Sequence, residues 1–380
     1  MPRILGLALL AALTLTGCGA EAQPDPNDRA PGWQRLTEAP LSPRSAPVVV
    51  WTGSEVLAIG GEVGDTCPPN ADCAFPNESA ADGAALDPDV GTWRPIAPAP
   101  VPVPGYSPSA VVDGHLFVRV GRKLLDYDLD ADRWRVLTRP SSDWYDLEAD
   151  GDRLLLVSGS DENGVRPDLA YEPVTRAWSE LPEDPLGPLF DRGLLATPAG
   201  VLLVGKELVA SPGGGDRPSY VLGALLDRST GTWSTLPRSD QLGGGSWGVI
   251  GSRVVNLSLD SSNGGGPGAG DYGRRIPFGG TLDLGTKTWG RLPNPPKYLT
   301  GGWPVGAVGT DRIAAEGWIY DGTASWTKVP HPRGAAVQPG PAVWAGDRLI
   351  VIGGTHQTSD NKTNRDGSVW AWRPEPGPRQ

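Results

Sequence analysis

Asp87-Pro88-Asp89-Val90-Gly91-Thr92-Trp93-Arg94-Pro95-Ile96 reads as a tight turn, then a short strand that opens on tryptophan and carries an aliphatic residue three places later. The phrase returns down the chain. Trp178 precedes Leu181, Trp233 precedes Leu236 and Trp289 precedes Leu292, with looser copies from Trp134 to Leu137 and from Trp326 to Val329. A seventh copy, Trp33 to Leu36, stands near the start with no unit before it. Residues three apart on a strand face opposite ways, so Trp93 and Ile96 are expected to serve two different neighbours.

Ahead of each phrase the pattern is apolar strand, tight turn, apolar strand. Asp113-Gly114, Asp150-Gly151, Gly251-Ser252 and Gly346-Asp347 supply turns. Glycine beside a small polar residue suits hairpin turns that need positive φ. The strands that follow, such as Leu154-Leu155-Leu156-Val157 and Leu349-Ile350-Val351-Ile352, are unbroken apolar runs, which predicts burial on both faces. A third strand then leads into the tryptophan phrase, as in Ala84 to Leu86, Leu169 to Tyr171 and Leu222 to Leu226. Each unit therefore holds four short antiparallel strands.

Spacings between successive tryptophans from Trp33 to Trp326 are 60, 41, 44, 55, 56 and 37 residues. They bracket the repeat of radial four-stranded architectures, about 40–50 residues. The surplus falls in one connection per unit, between second and third strands, as variable loops on a fixed scaffold require. The 53 glycines and 40 prolines then read as turn chemistry. The last third strand, ending at Trp372, has no tryptophan strand after it, whereas Trp33-Gln34-Arg35-Leu36 lacks the first three. Joining the two completes a seventh sheet and removes exposed edges. The expected fold is all-β: a seven-bladed β-propeller of four-stranded antiparallel blades over residues 31–376, its ring closed by the N-terminal strand joining the last blade, with a tail at 377–380. A ring of six or eight blades, or an open array with a frayed terminal strand, are the alternatives.

Ile59-Gly60-Gly61 and Ile352-Gly353-Gly354, each followed by a loop, a third strand and a tryptophan strand, resemble kelch repeats. Kelch propellers share their architecture with the central domain of galactose oxidase. Val120-Gly121, Val157-Ser158-Gly159 and Val204-Gly205 are reduced versions of the double glycine, which blades five and six lack. The resemblance implies a binding or scaffolding role, with enzymes as a minority.

Met1 to Gly17 has the form of an export signal: Arg3, then an apolar stretch from Ile4 to Thr16, too short for a mature membrane span. Leu15-Thr16-Gly17-Cys18 resembles the bacterial lipobox, which implies cleavage before Cys18 and its lipidation. An ordinary secretory signal with a chance cysteine is the alternative. Residues 18–30, with Pro24 and Pro26, read as a disordered tether. The expected address is the outer face of a bacterial cell membrane, or the periplasm or outer membrane of a Gram-negative cell. Net charge is −11, and loss of Arg3 makes it one unit more negative. Such a chain repels nucleic acid and anionic headgroups, so membrane contact is expected through lipid alone, on a monomer. Cys67 and Cys73 remain. In an exported protein they suggest a disulfide, with free thiols or a metal site as alternatives; two thiols without a nearby histidine make a poor zinc set.

Chemistry is sparse. His115, His331 and His356 are the only histidines, and His115 is placed on the opposite face from the other two, so each reads as a solvated loop residue. Asp89-Val90-Gly91-Thr92-Trp93 lies one residue short of the sialidase Asp-box. Asp126, Asp128, Asp130 and Asp132 alternate as in a calcium loop, yet their place in the repeat marks turn acids. Gly264 to Gly270 lacks the ending and helix of a phosphate loop. No catalytic residue, metal or cofactor is expected. The links entering each first strand carry Arg44, Tyr106, Trp144, Tyr145, Arg192, Trp247, Trp303 and Arg333, expected on one loop face. Arginines beside flat rings suit a carboxylated or sulfated glycan or an acidic peptide. The expectation is a binding or scaffold module for a cell-envelope glycan or protein partner. The alternative is a carbohydrate-active propeller enzyme, a sugar-modifying hydrolase, lyase or isomerase.

Overall fold

The computed structural model describes residues 31–64, 78–138, 145–158, 167–208, 219–241, 247–256, 280–292, 302–304, 306–323, 325–357 and 363–375. Strand β1 (Gly32–Leu36) precedes blade 1, which is β2 (Val48–Trp51), β3 (Val56–Ile59), β4 (Gly83–Asp87) and β5 (Thr92–Ile96). Blade 2 is β6 (Ser109–Val112), β7 (His115–Val120), β8 (Lys123–Asp128) and β9 (Arg133–Leu137). Blade 3 is β10 (Asp146–Asp150), β11 (Arg153–Val157), β12 (Leu169–Glu172) and β13 (Ala177–Glu180), and blade 4 is β14 (Phe190–Thr197), β15 (Gly200–Lys206), β16 (Val221–Asp227) and β17 (Thr232–Thr235). Blade 5 is β18 (Trp247–Ile250), β19 (Arg253–Asn256), β20 (Gly280–Asp283) and β21 (Thr288–Arg291); blade 6 is β22 (Gly306–Val308), β23 (Ile313–Ala315), β24 (Trp318–Tyr320) and β25 (Trp326–Lys328).

Blade 7 closes the ring. Its strands β28 (Arg348–Gln357) and β29 (Thr363–Arg373) pair with each other, and β1 pairs antiparallel with β29 from Gly32 opposite Arg373 to Leu36 opposite Val369. Its innermost strand is split into β26 (Gln338–Pro339) and β27 (Ala342–Ala345), both paired to β28. All seven sheets are antiparallel, in the order of the chain apart from this closure. First strands of neighbouring blades touch one another, β2 with β6 and β27 and β10 with β6 and β14, so they surround the axis.

The tryptophan phrase works as its spacing predicts. Trp93 packs with Leu36, Ile350 and Val369 of blade 7, whereas Ile96 packs with Leu116, Val118 and Leu125 of blade 2. A sheet sandwiched on both sides needs apolar second strands, and β3 is buried throughout. Full burial of one such aliphatic side chain contributes about 1.5–3 kcal/mol.

The tryptophans also donate. Trp93 Nε1 bonds the carbonyl of Thr37 (2.9 Å), Trp134 that of Ala97 (2.7 Å), Trp233 that of Pro182 (2.8 Å), Trp289 that of Pro237 (2.7 Å) and Trp33 that of Pro330 (2.5 Å). Each acceptor lies one or two residues past the outermost strand of the preceding blade. Strand β1 accepts from blade 1 and donates to blade 6, so closure reproduces the contacts of an ordinary blade.

Turns between third and fourth strands are tied by an aspartate at the strand end. Asp87 accepts from the amides of Asp89 and Val90, Asp227 from Ser229 and Thr230, and Asp283 from Gly285 and Thr286. The Thr286 amide and hydroxyl hold the Asp283 carboxyl below the usual carboxylate range, and the Ser229 hydroxyl followed by the Ser229 and Thr230 amides does the same at Asp227. The kelch-like glycines meet a close approach: a Cβ on Gly61, at φ 90°, would lie 2.7 Å from the Ser45 carbonyl oxygen.

Candidate functional site at the loop face

Links into first strands and connections from second to third strands share one face, and hairpin turns occupy the other. At blade 1 the loop face is ordered by hydrogen bonds that cross three blades. Ser45 and Glu62 exchange backbone bonds, and Arg365 of β29 donates to Ser45 Oγ and the Gly64 carbonyl. Glu62 Oε1 accepts the amide of Gly105 (2.8 Å), and the Tyr106 amide donates to the Ala46 carbonyl (3.2 Å). Val103 is fully buried and locks the same link.

Tyr106 stands on this frame with 87% of its surface exposed and φ at 56°. Positive φ is costly for a residue with a bulky side chain, and such strain persists only where the surroundings over-determine it. A tyrosine whose backbone is held on a strained, hydrogen-bonded link presents its exposed ring from a fixed anchor point on the loop face.

The other candidates take different positions. Arg44 is buried, donating to both carboxylate oxygens of Asp82 (2.7 and 3.2 Å), to the Gly60 carbonyl and to Ser42. That hydrogen bond holds the Asp82 carboxyl below the usual range. Arg192 bonds both oxygens of Asp168 (2.9 and 2.7 Å), Asp184 (2.8 Å) and the Ser158 carbonyl. Burial works against the Arg192 cation, yet the two carboxylates outweigh it and its pKa is raised; at Asp168 burial wins and pushes the carboxyl up. Both guanidiniums are therefore committed to carboxylates of the framework, which leaves neither fork open to an acidic ligand.

Tyr145 is buried in the seam of blades 2 and 3 beneath the Arg119 guanidinium (5.6 Å), and burial pushes its hydroxyl up to about 12. Trp247 packs edge-on to Trp289, and Trp303 is buried, donating to the Ala336 carbonyl (2.8 Å). Arg333 is exposed. Trp144 lies outside the described residues, as do Cys18, Cys67 and Cys73. A cavity of about 340 Å³ opens beside Arg192, lined also by Asp168, Glu180, Leu181, Pro182 and Asp184.

Sequence reasoning missed one cluster near the hairpin face. Asp126 is fully buried on β8, accepting from Arg135 Nε (2.5 Å) and paired with His115 Nδ1 (2.8 Å). His115 is thus a half-buried strand residue and not a solvated loop histidine. The signal was available: Asp126 lies directly opposite Arg135 once β8 and β9 are paired. Asp128 instead ties the turn through the Ala131 amide, and Asp132 accepts from Tyr127 and the Ala97 amide, so these acids point to separate tasks.

No protein-family model matches the chain, and no curated protein matches it. Solved structures do. One described as "Structure of YjhT" is similar to this chain at 13% identity, covering 88% of this chain and 96% of its own, with a TM-score of 0.45. The chain is a seven-bladed β-propeller.

Proposed function

We propose that the protein is an extracytoplasmic, lipid-anchored, kelch-like propeller that binds a cell-envelope glycan on its loop face without transforming it. The observation that carries this reading is Tyr106, exposed and strained on a link whose backbone is tied to Ala46 and, through Gly105, to the Glu62 carboxylate of blade 1. A flat ring exposed on an anchored link stacks on the apolar face of a pyranose, while nearby carbonyls and carboxylates accept from sugar hydroxyls. With Arg44 and Arg192 engaged by Asp82 and Asp168, a neutral glycan fits better than the acidic ligand expected from arginines beside flat rings on the links.

The test is retention of the full chain on immobilised envelope polysaccharide. The reading predicts retention with no new reducing ends, and a loss of affinity of roughly fivefold to a hundredfold in Tyr106→Ala, in line with about 1–3 kcal/mol for a stacking contact. Unchanged retention in the variant would remove Tyr106 from the site, and new reducing ends would replace binding by sugar-modifying catalysis. The anchor is tested separately: Cys18→Ser should release the protein from membranes, and persistence there would contradict lipidation.

A further inference from the structure

Five of the innermost strands carry no ionisable residue: β2 (VVVW), β6 (SAVV), β18 (WGVI), β22 (GAV) and β27 (AVWA). Strand β10 reads Asp-Leu-Glu-Ala-Asp. Its alternation puts Leu147 and Ala149 against blade 2, with Phe117 and Leu124, and turns Asp146, Glu148 and Asp150 the other way, toward blade 4. The axis-side layer of the seam between blades 3 and 4 is therefore ionic where its counterparts are apolar, while farther out Leu155, Leu181, Leu203 and Leu226 form an apolar core between the same two blades.

Three contacts hold it. At the hairpin end Asp150 is buried and accepts from Arg153 of its own blade and Arg228 of blade 4, which also donates to the Thr197 carbonyl. At the loop end Arg192 of β14 reaches back to Asp168 and Asp184. Between them Glu148 Oε1 accepts the amide of Ala196 on β14 (2.9 Å). The outer two contacts match carboxylates with guanidiniums. The middle one sets a carboxylate against a backbone N–H, with the Asp150 charge two residues away on the same strand face.

Of the other described charged groups near this face, Asp191 of β14 pairs with Lys206 of β15, and Asp146 lies exposed at the loop end of β10. Among the described residues no cation pairs with Glu148, which is half-buried in the seam, so its ionised form is poorly compensated, whereas the neutral acid keeps the Ala196 bond at lower cost.

We propose that Glu148 makes the seam between blades 3 and 4 a proton-sensitive joint, tight when Glu148 is protonated and loosened when it ionises. Strand β14 is the moving part. It carries Ala196 and, four residues away, Arg192, the wall of the 340 Å³ cavity; its pairing with β15 slips between Phe190 and Gly193, which provides a place to absorb the shift. A proton at Glu148 is in this way coupled to the shape of a loop-face cavity, independently of the ligand assigned to Tyr106. Burial pushes Glu148 up to about 7; Asp150 adds to the rise, and the Ala196 amide opposes it. An acid raised in the folded state favours the fold below its unfolded pKa, and that contribution is lost as pH rises through about 7.

Amide exchange on the full chain tests the joint, with rates corrected for intrinsic pH dependence. From pH 5.5 to 8.5 protection across Leu194 to Thr197 should fall roughly tenfold relative to β3, and Glu148→Gln should abolish that fall. An equal fall in both proteins, or none in the wild type, overturns the proposal. If the variant does not fold, carbon-13 titration of the wild-type Glu148 carboxylate decides: a midpoint near 7 is expected, and one below about 5 overturns it.

Discussion

Trp134 does two things with one side chain. Its ring packs on Tyr127 (centroids 4.8 Å apart), and its indole N–H reaches the Ala97 carbonyl at the end of the blade before it. Trp134→Phe keeps most of the packing and removes the donor, so it should lower unfolding free energy by about 1 kcal/mol. A denaturant midpoint that moves with an unchanged slope would check this. Glu148→Gln tests the opposite sign. The wild type should lose stability between about pH 4.5 and 7 relative to the variant, because the folded state holds the Glu148 proton that the unfolded chain has released. Parallel stability profiles for the two proteins would contradict the raised pKa. The tryptophans and apolar runs were legible because the pleat alternates side chains with period two and every blade repeats it. The partners of Arg44 and Arg192 were not, since each is set by where separate links and loops meet.

Strands were legible as elements, whereas the stitching between them was not. Single-residue bridges tie Ser45 to Glu62 and Glu62 to Ser79, too short to leave any periodic signal. The split of the innermost strand of blade 7 was hidden for a related reason. Gly340 lies so close to the Ile352 carbonyl that no side chain fits, and this interrupts what reads as one continuous strand. The double glycine of blade 1 belongs to this scale. Gly61→Ala combines positive φ with backbone only 2.7 Å from the new Cβ, whereas Gly114→Ala meets nothing within 4 Å and bears the φ penalty alone. Gly114→Ala should cost about 1 kcal/mol, and Gly61→Ala clearly more, as paired thermal melts would show. Equal costs would mean that the Ser45 contact relaxes freely.

At the scale of the molecule, seven copies of one four-stranded unit make a ring because the first strand of the chain supplies the last strand of the final blade. The orphan phrase at Trp33 carried that prediction from sequence alone, and the register from Gly32 opposite Arg373 to Leu36 opposite Val369 realises it. Trp33 then donates to blade 6 and Thr37 accepts from blade 1, as the matching residues of any other blade would. What the repeat could not reveal was which loop-face side chains stay free, because that depends on carboxylates from separate turns and links meeting the arginines. Closure is tested most directly by deleting Gly32 to Thr37 and following thermal unfolding and mass. The ring account predicts a melting temperature at least about 10 °C lower, with self-association through the bared edge of β29. A monomer that melts with its parent would contradict it.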